Sequence, residues 1–181
     1  MRSVFYDGAE LFGSNSSALE NTWDLLVEAR LSAYFTNGSP CNKDVEFTLE
    51  EERQSKHYVM YAGDALVSSG RYHISPLPDG KLFVSIDRFC IQLPYRGKGF
   101  AERGLKEIIA SAMSQCGSRG AQAVVGIQAP TTLPSVVVDR LLHYGFVQTS
   151  TIPLVQRGGV AYVTVVHSDT AALVAALSTV A

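Results

Sequence analysis

Residues 81–93 (KLFVSIDRFCIQL) show the most regular alternation of side chains in this sequence. Successive residues of a strand point to opposite faces, so the segment divides into two sets. One set is Phe83, Ser85, Asp87, Phe89 and Ile91, and the other is Leu82, Val84, Ile86, Arg88 and Cys90. Both sets are largely apolar, which is typical of a strand buried on two sides. The pattern therefore predicts a central strand.

Shorter apolar runs predict the remaining strands of a sheet. They lie at residues 2–6, 57–61, 65–75, 121–129, 146–156 and 160–167. Turn-forming residues separate several of these runs, and Gly63 lies in the short turn between the second and the third. We expect that pair of strands to form a hairpin.

Apolar residues at helical spacing predict helices between the strands. The main ones cover residues 17–35, 97–116 and 135–144. The second of them carries a buried stripe formed by Ala101, Leu105, Ile108, Ala112 and Cys116. A short polar helix at 48–56 and a weak helix within 168–181 complete the set.

The order of the predicted elements is β α α β β β α β α β β, followed by the helix of the tail. This order predicts an α/β (α+β) fold with a mostly antiparallel sheet and one central crossover. Residues 36–46 are rich in turn formers and predict a loop, after which Thr48 and Glu51 have the spacing of a capping box. No linker divides residues 1–181, so we expect a single domain.

The composition excludes several classes of protein. The chain has 181 residues, 46% of them hydrophobic, which suits one globular domain with a full core. No apolar run approaches the roughly 18–20 residues that span a bilayer. The N-terminal segment lacks the apolar stretch of a signal peptide. We therefore expect a cytoplasmic protein with no membrane partner.

Cysteine and histidine give no sign of a disulfide framework or a metal centre. The three cysteines, Cys41, Cys90 and Cys116, are odd in number and lack motif spacing, which favours reduced thiols. Cys90 and Cys116 fall within a strand and a helix pattern, so we expect both to pack in the core. The four histidines are scattered without metal-ligand spacing, and we expect no bound metal.

Charge is distributed unevenly along the chain. Residues 1–52 carry ten acidic and three basic side chains, a net charge of −7, whereas residues 53–181 carry seven and twelve, a net +5. The acidic part suits a cationic partner and the basic part an anion. Ordinary solvated surface remains the alternative. No dense basic patch of the kind that binds nucleic acid is present.

The segment 93–108 (LPYRGKGFAERGLKEI) raises the question of what caps its helix. A strand ends and a helix pattern begins on Arg96-Gly97-Lys98-Gly99, which offers no capping side chain and includes two poor helix formers. The N-terminus of a helix exposes unpaired N–H groups and positive dipole charge, and glycines let a phosphate approach closely. The stretch therefore predicts a pyrophosphate site, unless it is a turn without a ligand.

Two familiar phosphate motifs do not fit this segment. A P-loop needs a wider glycine spacing and a Ser or Thr after the lysine, whereas Lys98 is followed by Gly99. The dinucleotide fingerprint needs a third glycine, and that place is taken by Glu102.

The stretch from Asp87 to Ala101 resembles the acyl-CoA-binding motif of the GNAT superfamily of N-acyltransferases. That motif reads Arg/Gln-x-x-Gly-x-Gly/Ala, and its fixed places are filled here by Arg96, Gly99 and Ala101. The element order over about residues 1–167 and the HYGF junction at 143–146 are also similar. The resemblance implies a mixed, mostly antiparallel sheet of six to seven strands, flanked by about four helices.

The resemblance also implies how acetyl-CoA would bind as a cosubstrate. The backbone N–H groups from residue 96 to 101 would hold its pyrophosphate, which assigns cofactor contacts to Arg96, Gly97, Lys98, Gly99, Phe100 and Ala101. The central strand would separate from its parallel neighbour through a bulge near Phe89, Cys90 and Ile91, and pantetheine would lie in that gap. The N–H of Ile91 would stabilise the oxyanion.

Two side chains are candidates for proton transfer. Asp87 lies where the family often has an acidic residue and would deprotonate the amine. The alternative is a structural carboxylate paired with Arg71 or Arg88. Many members use a tyrosine at the place of Leu141 to protonate the leaving thiolate, and this chain departs from that pattern. Tyr144 lies nearby and is the candidate acid, with core packing as its alternative.

In the family the acceptor lies between the N-terminal helices and the late strands. The acidic N-terminal part would attract a cationic amine such as a polyamine, an aminoglycoside, a lysine side chain or a peptide N-terminus. Tyr34 and Phe35 are candidates for an apolar wall of the acceptor site, and core packing is the alternative for them.

Three functions are consistent with these residues. The first is an N-acetyltransferase that moves an acetyl group from acetyl-CoA to a primary amine in a ternary complex. The second is a catalytically weak or inactive acyl-CoA-binding module, which the leucine at position 141 favours. The third is an acyltransferase that acts on a protein or an aminoacyl-tRNA, although the missing basic surface argues against tRNA. The sequence leaves open whether the chain forms a homodimer.

Overall fold

A computed structural model describes residues 1–13, 17–36, 48–120, 122–130, 135–148, 155–157, 160–167 and 169–178. The strands are β1 (Arg2–Asp7), β2 (Lys56–Ala62), β3 (Ala65–Pro76), β4 (Leu82–Ile91), β5 (Ala123–Pro130), β6 (Val147–Gln148), β7 (Val155–Arg157) and β8 (Val160–His167). The helices are α1 (Gly8–Gly13), α2 (Ser17–Thr36), α3 (Leu49–Gln54), α4 (Phe100–Ser118), α5 (Ser135–His143) and α6 (Thr170–Ser178), with a 3₁₀ turn at Leu93–Tyr95. The predicted loop at 36–46 lies almost wholly outside the described residues.

One sheet contains all the described strands. Its order is β1-β2-β3-β4-β5-β8-β6, and β7 pairs with β8. Neighbouring strands are antiparallel except β4 and β5, which are parallel and joined by the crossover helix α4. The predicted mixed, mostly antiparallel sheet is confirmed. The described part has eight strands because the run predicted as one strand at 146–156 contains two short ones, β6 and β7.

Helices cover both faces of the sheet, as alternate residues of β2 show. Tyr58 and Met60 belong to a large buried cluster that includes Ile108 of α4, whereas Val59 and Tyr61 belong to a smaller one around α1 and α2. The large cluster also contains Leu82, Val84, Ile86, Ile109, Ala112, Cys116, Val125, Ile127 and Leu173. The side chain of Cys90 is also buried, so the core placement predicted for both this residue and Cys116 is confirmed.

Several helix boundaries differ from the sequence prediction. Helix α4 begins at Phe100 rather than at residue 97, because Gly97 and Gly99 have positive φ angles of 73° and 79° that are incompatible with a helix. Thr48 is the N-cap residue of α3 but its side chain makes no capping hydrogen bond, so the predicted capping box is wrong. The tail helix starts where expected, with the carboxylate of Asp169 accepting a hydrogen bond from the N–H of Ala172.

The strict alternation predicted for β4 fails at Arg88. This residue has a φ of +53°, and the pairing with β3 shifts register between Ser69–Cys90 and Arg71–Asp87. Two residues of β4 therefore lie opposite one residue of β3, which defines a β-bulge. The bulge moves Phe89 to the α4 face, away from the face of Asp87 on which the alternation placed it.

Candidate active site

The parallel strands β4 and β5 are paired over only part of their length, namely five of the ten residues of β4 and five of the eight residues of β5. Their pairing runs from Leu82–Ala123 to Ile86–Ile127 and stops there, just before the bulge. Beyond that point β4 remains paired with β3, and β5 remains paired with β8 up to Pro130. A wedge-shaped gap therefore opens between the two central strands, which we call the β4–β5 wedge.

The loop after β4 leads from this wedge to the N-terminus of α4. Gly99 is the N-cap residue and has no side chain to cap the helix, and the first helical hydrogen bond runs from Arg103 N–H to the Gly99 carbonyl. A Cβ atom placed on Gly97 or Gly99 would meet nothing within 4 Å. The loop backbone is therefore open on the side where side chains would point, and a helix N-terminus beside such an opening suits the pyrophosphate of an acyl-CoA.

Basic and aromatic side chains border this open space. The Nε of Arg96 donates to the carbonyl of Ile91 at 3.0 Å and so fastens the loop to the end of β4. The Nζ of Lys98 lies 5.7 Å from the ring centroid of Tyr95, within the range of a cation–π contact. The ring of Phe100 lies against Tyr95, with centroids 6.1 Å apart.

The main-chain N–H of Ile91 is directed toward the β4–β5 wedge. Gln92 N–H donates to the Val67 carbonyl of β3 at 2.9 Å. Successive residues of an antiparallel strand direct their polar backbone groups to opposite sides, so the N–H of Ile91 points away from β3. The structure thus gives this N–H the direction that an oxyanion donor needs, while its role stays a prediction.

Phe89 packs in a slot formed by two glycines. A Cβ on Gly70 would lie 2.9 Å from the Phe89 ring, and a Cβ on Gly104 would lie 3.0 Å from it. These two positions on β3 and α4 therefore accept the ring only because they carry no side chain. The contact holds the second residue of the bulge, two positions before Ile91.

Asp87 belongs to a buried ion-pair network. Its carboxylate accepts two hydrogen bonds from Arg71, at 2.5 Å to Nε and 2.9 Å to Nη2, and Arg88 Nη1 lies 4.0 Å away. Only 3% of Asp87 is exposed. Burial tends to raise the pKa of this carboxyl, but the charge of Arg71 and its hydrogen bonds outweigh burial and lower the pKa to about 2. A carboxylate held in this way resembles the structural alternative, a carboxylate paired with Arg71, more closely than a general base. The catalytic role of Asp87 stays a prediction.

The network continues to α2 and α3. Arg71 Nη1 donates to Glu52 at 2.8 Å, and Arg30 Nη1 donates to the other oxygen of Glu52 at 3.1 Å. His57 is fully buried beside this group. Its Nε2 lies 2.8 Å from the carbonyl of Glu52, and because a carbonyl only accepts, this nitrogen carries the proton. Burial, followed by the charge of Arg30, lowers the His57 pKa to about 4, so the ring is neutral at pH 7.

The network also changes the interpretation of the acidic N-terminal part. The charge of Glu52 is compensated inside the protein by Arg71, at 2.8 Å, and Glu51 also pairs with Arg71, at 3.1 Å. Along α2 an exposed row remains, formed by Glu20, Asp24 and Glu28 at intervals of four residues. Any attraction of a cationic acceptor therefore comes from exposed carboxylates such as these rather than from the whole segment.

The other predicted site residues lie in different surroundings. The side chain of Tyr144 is buried in the large core cluster beside Leu141 and Phe146, which is the packing alternative, and its role as an acid stays a prediction. Tyr34 and Phe35 lie in the last turn of α2, but their side chains are outside the described part. The Cys90 thiol lies 3.2 Å from the Ser69 hydroxyl, and burial raises its pKa.

Sequence reasoning missed Gln128. This residue is the first of β5 beyond the last pair with β4, so it lies at the opening of the wedge. Its side-chain Oε1 is buried and has no hydrogen-bond partner among the described residues. A single polar residue in the apolar run AVVGIQA is the only sequence signal, and it says nothing about burial.

The described residues contain neither a metal-binding cluster nor a membrane-spanning helix. No group of three or more His, Cys, Asp or Glu side chains there has the arrangement of a metal site. None of the helices in those ranges is long and apolar enough to cross a membrane.

Known structures share this fold, although no family model and no curated protein sequence matches the chain. An acyl-CoA N-acyltransferase from Pseudomonas aeruginosa superposes with a TM-score of 0.59 at 12% identity, covering 92% of this chain and 99% of the other. A GNAT-family protein of Desulfovibrio desulfuricans gives 0.57 at 11% identity, with coverage of 92% and 99%. The NatC complex bound to Gag peptide and CoA gives 0.53 at 12% identity, with coverage of 92% and 98%.

These comparisons establish the fold. At such low identity a structural likeness does not transfer an activity. The chain has the fold of the GNAT N-acyltransferases, as the motif at residues 87–101 predicts, with its wedge and glycine loop placed between β4, β5 and α4.

Proposed function

We propose that this protein is an acyl-CoA-dependent N-acyltransferase, with acetyl-CoA as the acyl donor and a primary amine as the acceptor. One observation carries the proposal: the uncapped N-terminus of α4, with Gly97 and Gly99 at positive φ and open space before them, lies at the mouth of the β4–β5 wedge. The helix terminus suits a pyrophosphate, and the wedge suits the narrow pantetheine arm.

The chemistry that acetyl-CoA supplies is a thioester whose carbonyl carbon the amine attacks, forming a C–N bond as the C–S bond breaks and the thiolate leaves. The residues of this chain would act chiefly by orientation. The N–H groups of the α4 terminus bind phosphate, Arg96 holds the loop to β4, and Ile91 N–H donates to the oxygen that gains charge.

Within the described part of the chain, Asp87 is the side chain predicted to accept the proton of the amine. A base works best when its pKa lies near the working pH, whereas the pKa of Asp87 is about 2. We therefore propose that Asp87 positions β4 through Arg71, and that water carries the proton from the amine. The exposed acidic row on α2 favours cationic amines.

A second candidate function is an acyl-CoA-binding module with little or no turnover. Two observations favour it: Leu141, at the place of the family's usual tyrosine, is buried in the core, and Asp87 is engaged with Arg71. A peptide N-terminus or a protein lysine remains an alternative acceptor within the first function.

The test measures acetyl-CoA binding by calorimetry and thiol release with an amine panel, for the wild type and two variants. Gly99→Glu should abolish binding, because its carboxylate would occupy and repel the phosphate position. Gly80→Glu is the matched control: its φ of +82° imposes the same backbone strain, and nothing lies within 4 Å of its Cβ.

The outcomes separate the two functions. Binding by the wild type and by Gly80→Glu, with thiol release on an amine, supports the transferase. Binding without thiol release on any amine supports the module. If the wild type binds acetyl-CoA and Gly99→Glu binds it equally well, the proposed phosphate site is wrong.

A further inference from the structure

We propose that the side-chain carbonyl of Gln128 accepts a hydrogen bond from the acceptor amine and orients it for attack. This inference rests on the proposed transferase function and adds a substrate-binding residue to it. Three features of the structure support it: a buried oxygen without a partner, its position at the opening of the wedge, and the face of the sheet on which it lies.

The first feature is the state of the oxygen. Oε1 of Gln128 is buried, and no donor among the described residues reaches it. Burying an amide oxygen without a hydrogen bond destabilises the folded protein, because the oxygen loses its bonds to water and gains none in return. Most buried polar atoms in native structures have a hydrogen-bond partner, and a ligand that donates an N–H group would supply one to this oxygen.

The second feature is the position along the strands. The last β4–β5 pair is Ile86–Ile127, so Gln128 would face Asp87 if the pairing continued one residue further. The strands part at this point, and the amide thus lies where the wedge begins. A group bound there would be near the segment of β4 that ends at Ile91, whose N–H points into the same wedge.

The third feature is the face of the sheet. Val125 and Ile127 lie in the large core cluster with Ile108 of α4. Gln128 therefore points to the opposite face, together with Gly126, over which the ring of Phe83 packs. The phosphate site is at the N-terminus of α4, so the donor would reach the wedge from the α4 side, and the opposite side is left for the acceptor.

The chemistry of an amide oxygen suits orientation rather than proton transfer. A glutamine carbonyl only accepts hydrogen bonds and does not take a proton at neutral pH. An amine that donates one N–H to this oxygen keeps its lone pair free in another direction. Fixing that direction toward the thioester carbon would lower the barrier by orientation.

The experiment compares Gln128→Met with Gln122→Met. Methionine has a similar length without the amide, and Gln122 is an exposed glutamine just before β5, so the control makes the same chemical change outside the wedge. For each protein we would measure thermal unfolding, acetyl-CoA affinity by calorimetry, and kcat/KM with spermidine, kanamycin, lysine amide and a short peptide with a free N-terminus.

Gln128→Met should lower kcat/KM for the preferred amine about tenfold, the loss expected for one hydrogen bond. Its acetyl-CoA affinity should stay within about twofold of the wild type. Its Tm should be unchanged or higher, because the substitution removes a buried oxygen for which the described residues supply no hydrogen-bond donor. Gln122→Met should match the wild type in all three measurements.

Four results would overturn the inference. A lower Tm with unchanged kcat/KM would make Gln128 a structural residue. A loss of acetyl-CoA affinity would place its hydrogen bond on pantetheine instead of the acceptor. An unchanged kcat/KM in an active enzyme would remove it from the site, whereas a wild type that is inactive with every amine would overturn the transferase function as well.

Discussion

At Asp87 burial and a neighbouring charge act on the same carboxyl group in opposite directions. Burial disfavours the charged form, but the two hydrogen bonds from Arg71 and its positive charge favour that form more strongly. The carboxylate consequently stays ionised at every pH above about 3. Its depressed pKa also means that it adds stability above the unfolded value of 3.8, which is lost as the pH falls toward 2.

Asp87→Asn should therefore affect stability more than proton transfer. Removing one charge from a buried pair leaves Arg71 partly uncompensated, which costs about 3–5 kcal/mol. Urea unfolding at pH 7 measures the change in the free energy of unfolding. Asp79→Asn is the control: this exposed carboxylate pairs with Lys81 at 2.9 Å, and because solvent screens such a pair, its loss should leave the free energy of unfolding nearly unchanged.

The pH–rate profile distinguishes the two roles of Asp87. If Asp87 only positions β4, the pH–rate profiles of the wild type and of Asp87→Asn should have the same inflections. A variant that unfolds like the wild type, yet loses turnover and an acidic inflection together, would restore Asp87 as the base.

Single residues could be predicted from the sequence where the chemistry is local. The glycines at 97 and 99 stand out because a helix follows at once, and their positive φ angles agree with that interpretation. Gln128 could not be identified, because burial of its oxygen depends on residues far away in sequence. For Asp87 the sequence left two roles open, since only the folded chain shows that Arg71 donates twice to it.

The strand β4 gains its bend from contacts on both of its faces. On one face Phe89 occupies the slot between Gly70 and Gly104, and on the other Asp87 is held by Arg71. Between these two fixed residues Arg88 adopts a φ of +53°, which a residue other than glycine rarely adopts without such support. The bulge is therefore imposed by tertiary packing.

Gly104→Ala should lower turnover while the protein stays folded. The new methyl group would lie 3.0 Å from the Phe89 ring and displace it by a few tenths of an ångström, which would move the bulge and the N–H of Ile91. We expect kcat to fall about tenfold, since small errors in position are costly in catalysis. The crowding cost of about 1–3 kcal/mol is offset only in part by the higher helix propensity of alanine, which contributes about 1 kcal/mol.

Gly117→Ala is the control in the same helix. A Cβ there meets nothing within 4 Å, so this variant should keep the wild-type kcat and gain up to about 1 kcal/mol in unfolding free energy. Equal turnover for the two variants in steady-state assays would show that Phe89 does not position the N–H of Ile91.

Elements were predictable where periodicity alone determines them. The strand predicted at 160–167 is β8, and those at 57–61 and 65–75 differ from β2 and β3 by one residue at some of their ends. The alternation along β4 gives no sign of the bulge, because the packing of Phe89 against two glycines outweighs that pattern. Only the family resemblance predicted a bulge, near Phe89, Cys90 and Ile91, and the register shift includes Phe89. The short helix α1 was also missed, since its six residues cover too little of a helical period.

The stability of the whole molecule should depend on pH through His57. Its pKa is about 4 in the folded protein and 6.5 in the unfolded chain, so the unfolded chain binds more protons between these values. The free energy of unfolding should thus fall by about 3 kcal/mol as the pH decreases from 6.5 to 4, and this contribution should then level off. Urea titrations at intervals of half a pH unit would measure it.

His57→Gln provides the comparison for this pH dependence. Glutamine keeps an N–H that can donate to the Glu52 carbonyl but does not titrate, so the slope between pH 6.5 and 4 should become flatter. A variant with the wild-type slope would assign the acid sensitivity to other groups.

The wedge gives this sheet an internal edge. Strands at the outside of a sheet expose unpaired backbone groups that invite another strand, and proteins usually protect them. Here β4 beyond Ile86 and β5 beyond Ile127 each lack a ladder partner on the side where they face one another, inside the molecule. A ligand that carries its own amide groups would complete the ladder as a short additional strand. Amide hydrogen exchange at residues 87–91 and at residues 128 and 129 would then slow on binding, although no protein strand has moved.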